Sequence, residues 1–139
     1  MFNLFIWAII FTESSGNPNA LSDKQARGLM QVTDIGAEQV QMTYGWECGD
    51  LFDPLSNILC GKLLFSHYLI TENHSIRAAL VKYNGGGRAV RAWKAGNPFP
   101  ESRNYVKKIC GLVNCEVVLE SHLETPTWIK QKNPFRRIP

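Results

Sequence analysis

The sequence predicts a mainly α-helical domain in which loops between helices border a cleft. One observation is the apolar run from Phe2 to Phe11, which leads without any charge to Glu13. Another is Asp53-Pro54, a strong helix start because Asp favours the N-cap and Pro the first helical position. The third is that clusters rich in Gly, Asn and Pro separate the apolar segments and so predict short connections between helices.

The composition fits one globular domain with a balanced body and a basic end. The chain has 139 residues and a formal charge of +3. Four basic residues and no acidic ones follow Glu124, so the preceding part is close to neutral. A second basic excess lies between residues 77 and 108, and we interpret it as solvated helix faces rather than a surface for an anionic polymer. Since aromatic residues do not alternate with these charges, no nucleic-acid partner is expected.

Four cysteines occur, at positions 48, 60, 110 and 115. None has CxxC spacing and the three histidines form no ligand set, so we expect neither a metal site nor a cofactor. An even count permits two disulfides, but the spacing does not define their connectivity. Cys110 and Cys115 are close enough to pair, whereas Cys60 fits equally well as a free thiol in the core.

The N-terminal apolar run is predicted to be a buried helix. It lacks Lys and Arg, and no A-x-A pattern follows it, so it does not resemble a signal peptide. It is also too short to span a bilayer. We therefore expect no export signal and no membrane span, with a first helix over residues 2 to 14 that ends where Asn17-Pro18-Asn19 favours a turn.

The next helices follow from capping residues and apolar spacing. Thr33 is a candidate N-cap for a helix from Asp34 to about Thr43. The segment from Asp53 to about Ile70 has apolar residues at helical spacing and is predicted to be the central buried helix. Asn73 or Ser75 begins another helix, which is predicted to end at the glycines of residues 85–87.

The C-terminal third is less regular. We predict a short helix over residues 88–94 and another from Pro100 to about Leu112. Residues 113–124 are ambiguous, since Val117-Val118-Leu119 fits either a short strand or a helical turn. From Thr125 onwards, prolines and basic residues predict an extended tail, either docked or disordered.

Glu13 is the first candidate for a catalytic residue. It lies where an apolar helix gives way to a polar loop, at a border between core and cleft. Partial burial raises a carboxyl pKa because it disfavours the charged form. A carboxyl that holds its proton near neutral pH is able to act as a general acid. The alternative is a helix end in solvent with no chemical role.

Four motifs occur in order along the chain: Glu13-Ser14 followed by Ser22, Gly28-Leu29-Met30-Gln31, the segment Ala79–Gly86 with Tyr83-Asn84, and Glu101 followed by Tyr105-Val106. Between the second and third lies a helix with Asn57-Ile58 and Gly61. In this order and spacing the motifs resemble the catalytic domain of soluble lytic transglycosylases, in the goose-type lysozyme-like family. The resemblance covers roughly Ile6 to Ile109.

The resemblance implies a lysozyme-like helical domain with an active-site cleft over residues 1–112, followed by an extension or basic tail over residues 113–139. It also implies cleavage of the β-1,4 bond between N-acetylmuramic acid (MurNAc) and N-acetylglucosamine (GlcNAc) in peptidoglycan. In this family a single carboxyl, here Glu13, acts first as acid and then as base. The substrate's acetamido group assists, and the product carries a 1,6-anhydro end, with no cofactor.

The resemblance further implies six substrate-binding residues: Ser22, Met30, Gln31, Tyr83, Asn84 and Tyr105. Ser22 and Gln31 match positions that hydrogen-bond sugar or peptide groups. Met30 either lines the floor of the cleft or belongs to the core, and Asn84 either holds substrate or caps a helix. Tyr83 is expected to orient Glu13 or contact the acetamido group, and Tyr105 to face the catalytic glutamate.

One departure from the family pattern affects the expected setting. Family domains usually carry another helix before the glutamate helix, so one core face is expected to be exposed unless residues 113–139 or a partner protein cover it. The compact chain, its basic tail and the missing export signal predict a bacteriophage virion enzyme that acts on the cell wall in the periplasm, with virion or cell-envelope proteins as partners. A periplasmic bacterial enzyme is the alternative.

Two other functions remain open at this point. A hydrolytic muramidase on the same fold needs a second acid to activate water, and Asp23 and Asp34 are the nearest candidates. A non-catalytic structural component of a larger assembly is the other alternative, because the exposed core face suits tight partner binding.

Overall fold

The computed structural model describes residues 1–119, which form five α-helices. These are α1 (Phe2–Ser14), α2 (Asp34–Tyr44), α3 (Pro54–Thr71), α4 (Ile76–Lys94) and α5 (Pro100–Leu112). Across this part of the chain, the β features are isolated bridges that join Leu21 to Arg27 and Arg27 to Val32. The prediction of a mainly helical domain is confirmed. The expected basic tail from Thr125 onwards lies outside the described residues.

Side-chain caps define three of the helix starts. The Thr33 hydroxyl accepts a hydrogen bond from the Gly36 N–H at 3.1 Å, as the sequence predicted. The Asp53 carboxylate accepts from the Ser56 N–H at 2.9 Å. Of the two candidates for the start of α4, Ser75 is the N-cap. Each cap satisfies one of the N–H groups that lack a partner in the first turn of a helix.

The glycine-rich segment divides α4 into two helical segments. The sequence predicted one helix up to residues 85–87 and a separate helix over 88–94. Both predictions are confirmed: α4, from Ile76 to Lys94, consists of two helices that meet at a kink, where Gly86 has non-helical geometry with φ 76° and ψ −166°. Glycine adopts positive φ at little cost because it has no Cβ, so a single residue absorbs the bend and the helix resumes.

Residues 113–119 form turns and bends. Val117-Val118-Leu119 is neither the strand nor the helical turn that the sequence allowed. The Cys110–Cys115 disulfide closes this segment onto the end of α5, and Glu116 pairs with Arg77 in the first turn of α4. Because these links join neighbouring helices, the segment is anchored up to Leu119, which is itself buried.

The second disulfide resolves the status of Cys60. This residue is fully buried in α3, as its apolar neighbours suggested, but it is bonded to Cys48 and is not a free thiol. The bond ties the loop before α3 to the middle of that helix. Sequence spacing left this pairing open, since the loop that brings Cys48 back to α3 is a tertiary feature.

Helix α3 is central: it packs against α1, α2 and α4, while α5 packs against α4 and α1. The core between them contains large side chains with almost no exposure, among them Phe5, Ile9, Phe65, Leu69, Leu80 and Ile109. Burying one such side chain stabilises the fold by about 1.5–3 kcal/mol. This packing places the end of α1 beside the middle of α4 and the beginning of α5.

Helix α1 buries one face and exposes the other. Phe5 and Ile9 lie in the core, whereas Leu4 and Trp7 are 60% and 64% exposed. The Trp7 and Phe11 rings stack on this outer face with centroids 5.8 Å apart. Helix α1 therefore has an exposed apolar surface opposite the core. None of the helices within residues 1–119 has the length and hydropathy needed to cross a bilayer.

Candidate active site

Glu13 lies in the last turn of α1, at the wall of a cleft with a volume of about 350 Å³. The C-cap residue of this helix, Ser15, has left-handed geometry (φ 53°), which ends α1 and turns the chain into the polar loop. The cleft is lined by residues from α1, the following loop, α4 and α5: Glu13, Ser22, Asp23, Lys24, Ala26, Gln31, Thr33, Tyr83, Asn84 and Glu101. Four of the predicted substrate-binding residues are thus brought together with Glu13.

The environment of Glu13 favours its protonated form. Burial, and then the negative charge of Glu101, raise the pKa of the Glu13 carboxyl from 4.5 to about 7. Removal from water penalises the carboxylate, and a second carboxylate nearby adds repulsion. At neutral pH a large fraction of Glu13 therefore holds a proton, which is the state that a general acid requires.

Gly28 allows the loop after α1 to pack tightly. Its φ is +74°, and its N–H donates to the Ala20 carbonyl at 2.8 Å. A Cβ at this position would lie 2.3 Å from the Leu51 carbonyl oxygen and 2.4 Å from Nδ2 of Asn57. Any other residue would be both strained and sterically blocked, so glycine is required for the loop to close around the cleft.

Gln31 uses one half of its amide to hold this loop and leaves the other half available. Its Nε2 donates to the carbonyls of Ala20 at 3.1 Å and Gly28 at 3.0 Å. The residue itself has left-handed geometry, with φ 51°. Because both protons of the amide are directed at the loop backbone, Oε1 is the atom able to accept a hydrogen bond from a ligand.

Ser22 is held in a similar way. Its Oγ accepts from the N–H groups of Lys24 at 3.2 Å and Ala26 at 3.0 Å. A hydroxyl that accepts from the backbone still has its proton to donate. Ser22 is therefore a donor at the cleft wall, complementary to the acceptor that Gln31 offers.

Asn57 of α3 connects the loop to the core. It is fully buried, and its Oδ1 accepts from the Met30 N–H at 2.7 Å. Its Nδ2 donates to the carbonyls of Arg27 at 2.8 Å and Leu51 at 2.7 Å. One side chain thus binds three backbone groups, of which the Arg27 carbonyl also accepts a hydrogen bond from the Val32 N–H at 3.0 Å. The sequence pointed to Asn57 only as part of a motif, without this role.

Met30 belongs to the core and does not line the cleft, so its prediction as a substrate-binding side chain is corrected. It is 0% exposed, and a Cβ on Gly61 would lie 2.3 Å from its sulfur. The absence of a side chain at Gly61 thus makes room for Met30 against α3. The backbone of Met30 is nevertheless important, since its carbonyl accepts a hydrogen bond from the Tyr83 hydroxyl at 2.7 Å.

The two predicted tyrosines lie at different depths. Tyr83 lines the cleft, whereas Tyr105 is only 6% exposed and lies behind the wall. Burial and then the charge of Glu13 raise the pKa of both hydroxyls well above 10. Both therefore stay protonated at any physiological pH. The Tyr105 hydroxyl has no hydrogen-bond partner among residues 1–119.

Asn84 lies on the cleft wall, in the segment of α4 that ends at the Gly86 kink. Its Oδ1 is buried and has no hydrogen-bond partner in the part of the chain that the structure describes. Such an acceptor is costly to leave unsatisfied. Of the two interpretations that the sequence allowed, the position in the cleft favours contact with a ligand.

Glu101 is a cleft residue to which the sequence assigned no role. It lies in the first turn of α5, lines the cleft and contributes to the raised pKa of Glu13. The signal was present, because Glu101 is four residues before Tyr105 and so lies on the same side of the helix. What the spacing did not indicate was the approach of α5 to the end of α1.

The two acids considered for water activation have different positions. Asp23 lines the cleft. Asp34 lies outside it and accepts two hydrogen bonds from the Arg27 guanidinium, at 2.9 Å and 3.1 Å. Over residues 1–119, no group of three or more His, Cys, Asp or Glu side chains is arranged to hold a metal ion.

A carboxyl with a raised pKa thus faces a hydrogen-bonding cleft in a helical domain. Comparison with known proteins identifies the family to which this domain belongs. Residues 3–106 match the family model described as Transglycosylase SLT domain. The chain belongs to this family. The SLT domain accounts for all five helices as far as the middle of α5, and it includes Glu13 and the other residues of the cleft.

Several relatives of the SLT domain are known by sequence. A Haemophilus influenzae protein, provisionally named a soluble lytic murein transglycosylase, is 36% identical in an alignment 124 residues long that covers 76% of this chain and 20% of that protein. The membrane-bound lytic murein transglycosylase C of Serratia proteamaculans is 41% identical in an alignment 97 residues long. This alignment covers 61% of this chain and 27% of the Serratia protein. The transglycosylase of Enterobacteria phage PRD1 is 30% identical over 106 residues, which cover 76% of this chain and 35% of the phage protein.

A solved structure has the same fold. The 70 kDa soluble lytic transglycosylase SLT70 from Escherichia coli superposes with a TM-score of 0.70 at 27% identity, over 78% of this chain and 20% of that protein. The lysozyme-like helical fold is therefore confirmed. The chain spans about a fifth of SLT70 and of the Haemophilus protein, and about a third of the phage transglycosylase.

Proposed function

We propose that this SLT domain is a peptidoglycan lytic transglycosylase that cleaves the MurNAc-β-1,4-GlcNAc bond with Glu13 as its only catalytic acid and base. The observation that supports this most directly is the pKa of about 7 for a carboxyl on the cleft wall. The names of the relatives point to the same reaction class.

In the first step, the protonated carboxyl of Glu13 donates its proton to the glycosidic oxygen. The bond between that oxygen and C1 of the muramoyl sugar breaks, and the GlcNAc side leaves with a hydroxyl. Positive charge develops at C1, as in other glycoside cleavages. Because burial and the charge of Glu101 keep a large fraction of Glu13 protonated at neutral pH, the acid is ready for this transfer.

In the second step, the substrate supplies both the stabilising group and the nucleophile. The acetamido oxygen of the muramoyl sugar stabilises C1, which removes the need for a second enzyme carboxylate. Glu13, now ionised, takes the proton of the C6 hydroxyl as that oxygen bonds to C1. A 1,6-anhydro ring forms, no water is consumed, and Glu13 recovers its proton for the next cycle.

The remaining cleft residues have binding roles in this proposal. The Ser22 hydroxyl donates to the sugar or its peptide, the Gln31 Oε1 accepts, and the buried Asn84 Oδ1 finds a partner in the ligand. Tyr83 holds the loop through the Met30 carbonyl and lines the cleft. Tyr105 acts from behind the wall, where its hydroxyl is close enough to Glu13 to respond to its charge.

The relatives and the sequence support one setting for this domain. We assign residues 1–112 to the catalytic domain and residues 113–139 to a C-terminal extension. A phage transglycosylase among the relatives supports a virion enzyme that opens the cell wall locally in the periplasm during infection. Virion or cell-envelope proteins would then be its assembly partners, and the exposed apolar face of α1 is available for such contacts.

The test is digestion of purified sacculi followed by mass spectrometry of the soluble products. Wild-type protein is expected to release fragments with 1,6-anhydro ends, and Glu13→Gln is expected to release none. Glu38→Gln is the matched control, since Glu38 is an acid on α2 outside the cleft. Full activity in Glu13→Gln would exclude Glu13 as the catalytic residue.

The same digestion separates the alternatives. A hydrolytic muramidase would yield reducing ends, because water replaces the C6 hydroxyl as nucleophile. Asp23 is the candidate to activate that water, since it lines the cleft while Asp34 is engaged with Arg27. A structural component of a larger assembly would release no fragments from sacculi under any condition.

A further inference from the structure

One buried carboxylate binds both of the helical segments that meet at Gly86. Glu72 directly follows the last residue of α3 and is only 6% exposed. Its Oε2 accepts a hydrogen bond from Nζ of Lys82 at 3.2 Å, and its Oε1 forms an ion pair with Nζ of Lys94. Lys82 lies before the kink in α4 and Lys94 lies after it. These three charged residues are here called the Glu72 cluster.

The kink brings the two lysines to the same carboxylate. Residues 82 and 94 are twelve positions apart, which corresponds to about 18 Å along the axis of a straight α-helix. With 3.6 residues per turn, their side chains would also leave such a helix in directions about 120° apart. In the bent helix, both ammonium groups instead contact the oxygens of Glu72. The two ion pairs therefore favour the angle that α4 adopts at Gly86.

The backbone at the kink does not determine this angle by itself. Residues 85–87 are three consecutive glycines, and glycine has access to more backbone conformations than other residues. A Cβ at Gly86 would have no neighbour within 4 Å, so the space around this residue is open. The angle must then depend on contacts on either side of the glycines. These contacts are the burial of Ala89 and Val90 in the core and the ion pairs of the Glu72 cluster.

Further contacts hold Lys82 against the end of α3. Its Nζ donates to Oγ1 of Thr71 at 3.3 Å and lies 5.2 Å from the centroid of the Tyr68 ring, where a cation is attracted to the ring face. Burial raises the pKa of the Glu72 carboxyl, but the hydrogen bonds and charges of Lys94 and Lys82 outweigh burial and hold this pKa below its ordinary value. Glu72 is therefore ionised at neutral pH and attracts both cations.

The part of α4 that reaches the cleft lies between the two lysines. Tyr83 and Asn84 directly follow Lys82, and both line the cleft, whereas no member of the Glu72 cluster does. The buried Oδ1 of Asn84 has no hydrogen-bond partner among residues 1–119, so no protein contact of its own directs this atom. Its direction depends on the orientation of the helix that carries it.

We propose that Glu72 is a positioning residue for the cleavage reaction, because it fixes the kink of α4 and thereby directs Asn84 into the cleft. This inference rests on the proposed function, in which Asn84 binds the substrate. A small displacement of a binding group is enough to slow a reaction, since the reacting atoms must be held in a defined geometry. Glu72 therefore acts on the substrate only through the helix that it holds.

The first experiment measures kcat/KM on soluble peptidoglycan strands, at a temperature at which circular dichroism shows every variant to be folded. Glu72→Gln removes the charge that both lysines contact, and we expect kcat/KM to fall about tenfold. Lys94→Met is expected to lower kcat/KM as well, although Lys94 is 55% exposed and lies outside the cleft. Glu116→Gln is the control, because it breaks the ion pair with Arg77 in the first turn of α4 and leaves the kink intact.

A double-mutant cycle with Asn84→Ala distinguishes positioning from a general structural role. If Glu72 acts through Asn84, the two losses are not additive. Glu72→Gln is then expected to lower kcat/KM by less than about twofold once Asn84 has been replaced. A residue that only stabilised the fold would cause the same loss with or without the Asn84 side chain.

Two outcomes overturn the inference. One is wild-type kcat/KM in both Glu72→Gln and Lys94→Met, and the other is a fully additive loss in the double variant. If wild-type protein cleaves no strand, the proposed function fails instead, and NMR still tests the positioning role. In that case the side-chain amide of Asn84 and the backbone amide of Gly86 are expected to shift in Glu72→Gln and not in Glu116→Gln. Unchanged resonances in Glu72→Gln would overturn the inference.

Discussion

The hydroxyl of Tyr83 donates a 2.7 Å hydrogen bond to the backbone carbonyl of Met30. This contact joins α4 to the loop that carries Gln31, two parts of the chain separated by 53 residues. It holds two walls of the cleft at a defined distance. The hydroxyl is thus a positioning group for the loop, in addition to any contact that it makes with the substrate.

Tyr83→Phe is expected to loosen this loop. It removes the donor and leaves the Met30 carbonyl without its partner, which costs about 1–3 kcal/mol of unfolding free energy. Denaturant unfolding measures the stability change, and sacculus digestion measures the loss of activity. Tyr68→Phe is the control, since the Tyr68 hydroxyl makes no hydrogen bond with the described residues. Equal stability in the Tyr83→Phe variant and wild type would contradict this role.

Glu13 is expected to stabilise the fold less as pH rises. Its pKa is about 7 in the folded protein, against 4.5 for a glutamate in water. Below pH 4.5 the folded and unfolded chains both hold the proton, whereas above pH 7 the folded chain must keep a carboxylate in a buried site. The folded state therefore loses up to about 3 kcal/mol as pH rises through that interval.

The measurement compares Glu13→Gln with wild type in denaturant unfolding at about pH 4.5 and about pH 8, on either side of the interval in which Glu13 titrates. The variant is expected to be similar in stability at the lower pH and more stable at the higher one, because Gln stays neutral. A gain in stability on replacing Glu13 is expected for a site whose geometry favours activity at the expense of stability. A stability difference that does not change with pH would show that the raised pKa is absent.

Glu101→Gln is expected to shift the pH dependence of activity. The charge of Glu101 contributes to the raised pKa of Glu13, but burial is the larger cause. The basic limb of kcat/KM, which reports loss of the acid proton, should move to lower pH and stay above the range of an ordinary carboxyl. Glu38→Gln is the control and should leave the limb in place. A limb that stays unchanged in Glu101→Gln would separate Glu101 from the ionisation of Glu13.

Asn57→Asp is expected to destabilise the domain strongly. The substitution keeps the shape and one acceptor, but it replaces the donor that serves the carbonyls of Arg27 and Leu51 with an oxygen. Two hydrogen bonds become repulsive contacts in a fully buried site, and a loss of about 3 kcal/mol or more follows. Thermal unfolding tests this. Asn104→Asp, at an exposed position of α5, makes the same chemical change and should have little effect.

Much of the fold could be predicted because its signals are local. Thr33 and Asp53 each cap a helix with their own side chain, and apolar spacing defines the buried face of α3. Such features depend on residues within one or two turns, so the sequence is sufficient to read them. The helix end at residues 85–87 could be predicted for the same reason, since glycine readily adopts the positive φ with which Gly86 interrupts α4.

The sequence predicted which residues belong to the site but not how those residues are arranged. Glu13, Ser22, Gln31, Tyr83 and Asn84 do meet at one cleft, as the motifs suggested. Met30 is part of the same motif, yet its side chain points into the core, because the missing side chain at Gly61 leaves room there. A motif indicates which residues belong together, but packing against another helix determines which atoms reach the ligand.

The sequence by itself determined the helices, their caps and the set of residues from which a cleft could be built. Only the tertiary structure decided that Cys48 pairs with Cys60, that Asn57 holds the loop, and that Glu101 approaches Glu13. The physical reason is the separation along the chain over which each interaction acts. Capping and periodicity act between near neighbours in the chain, whereas burial and charge repulsion depend on distances in space that only the packed helices define.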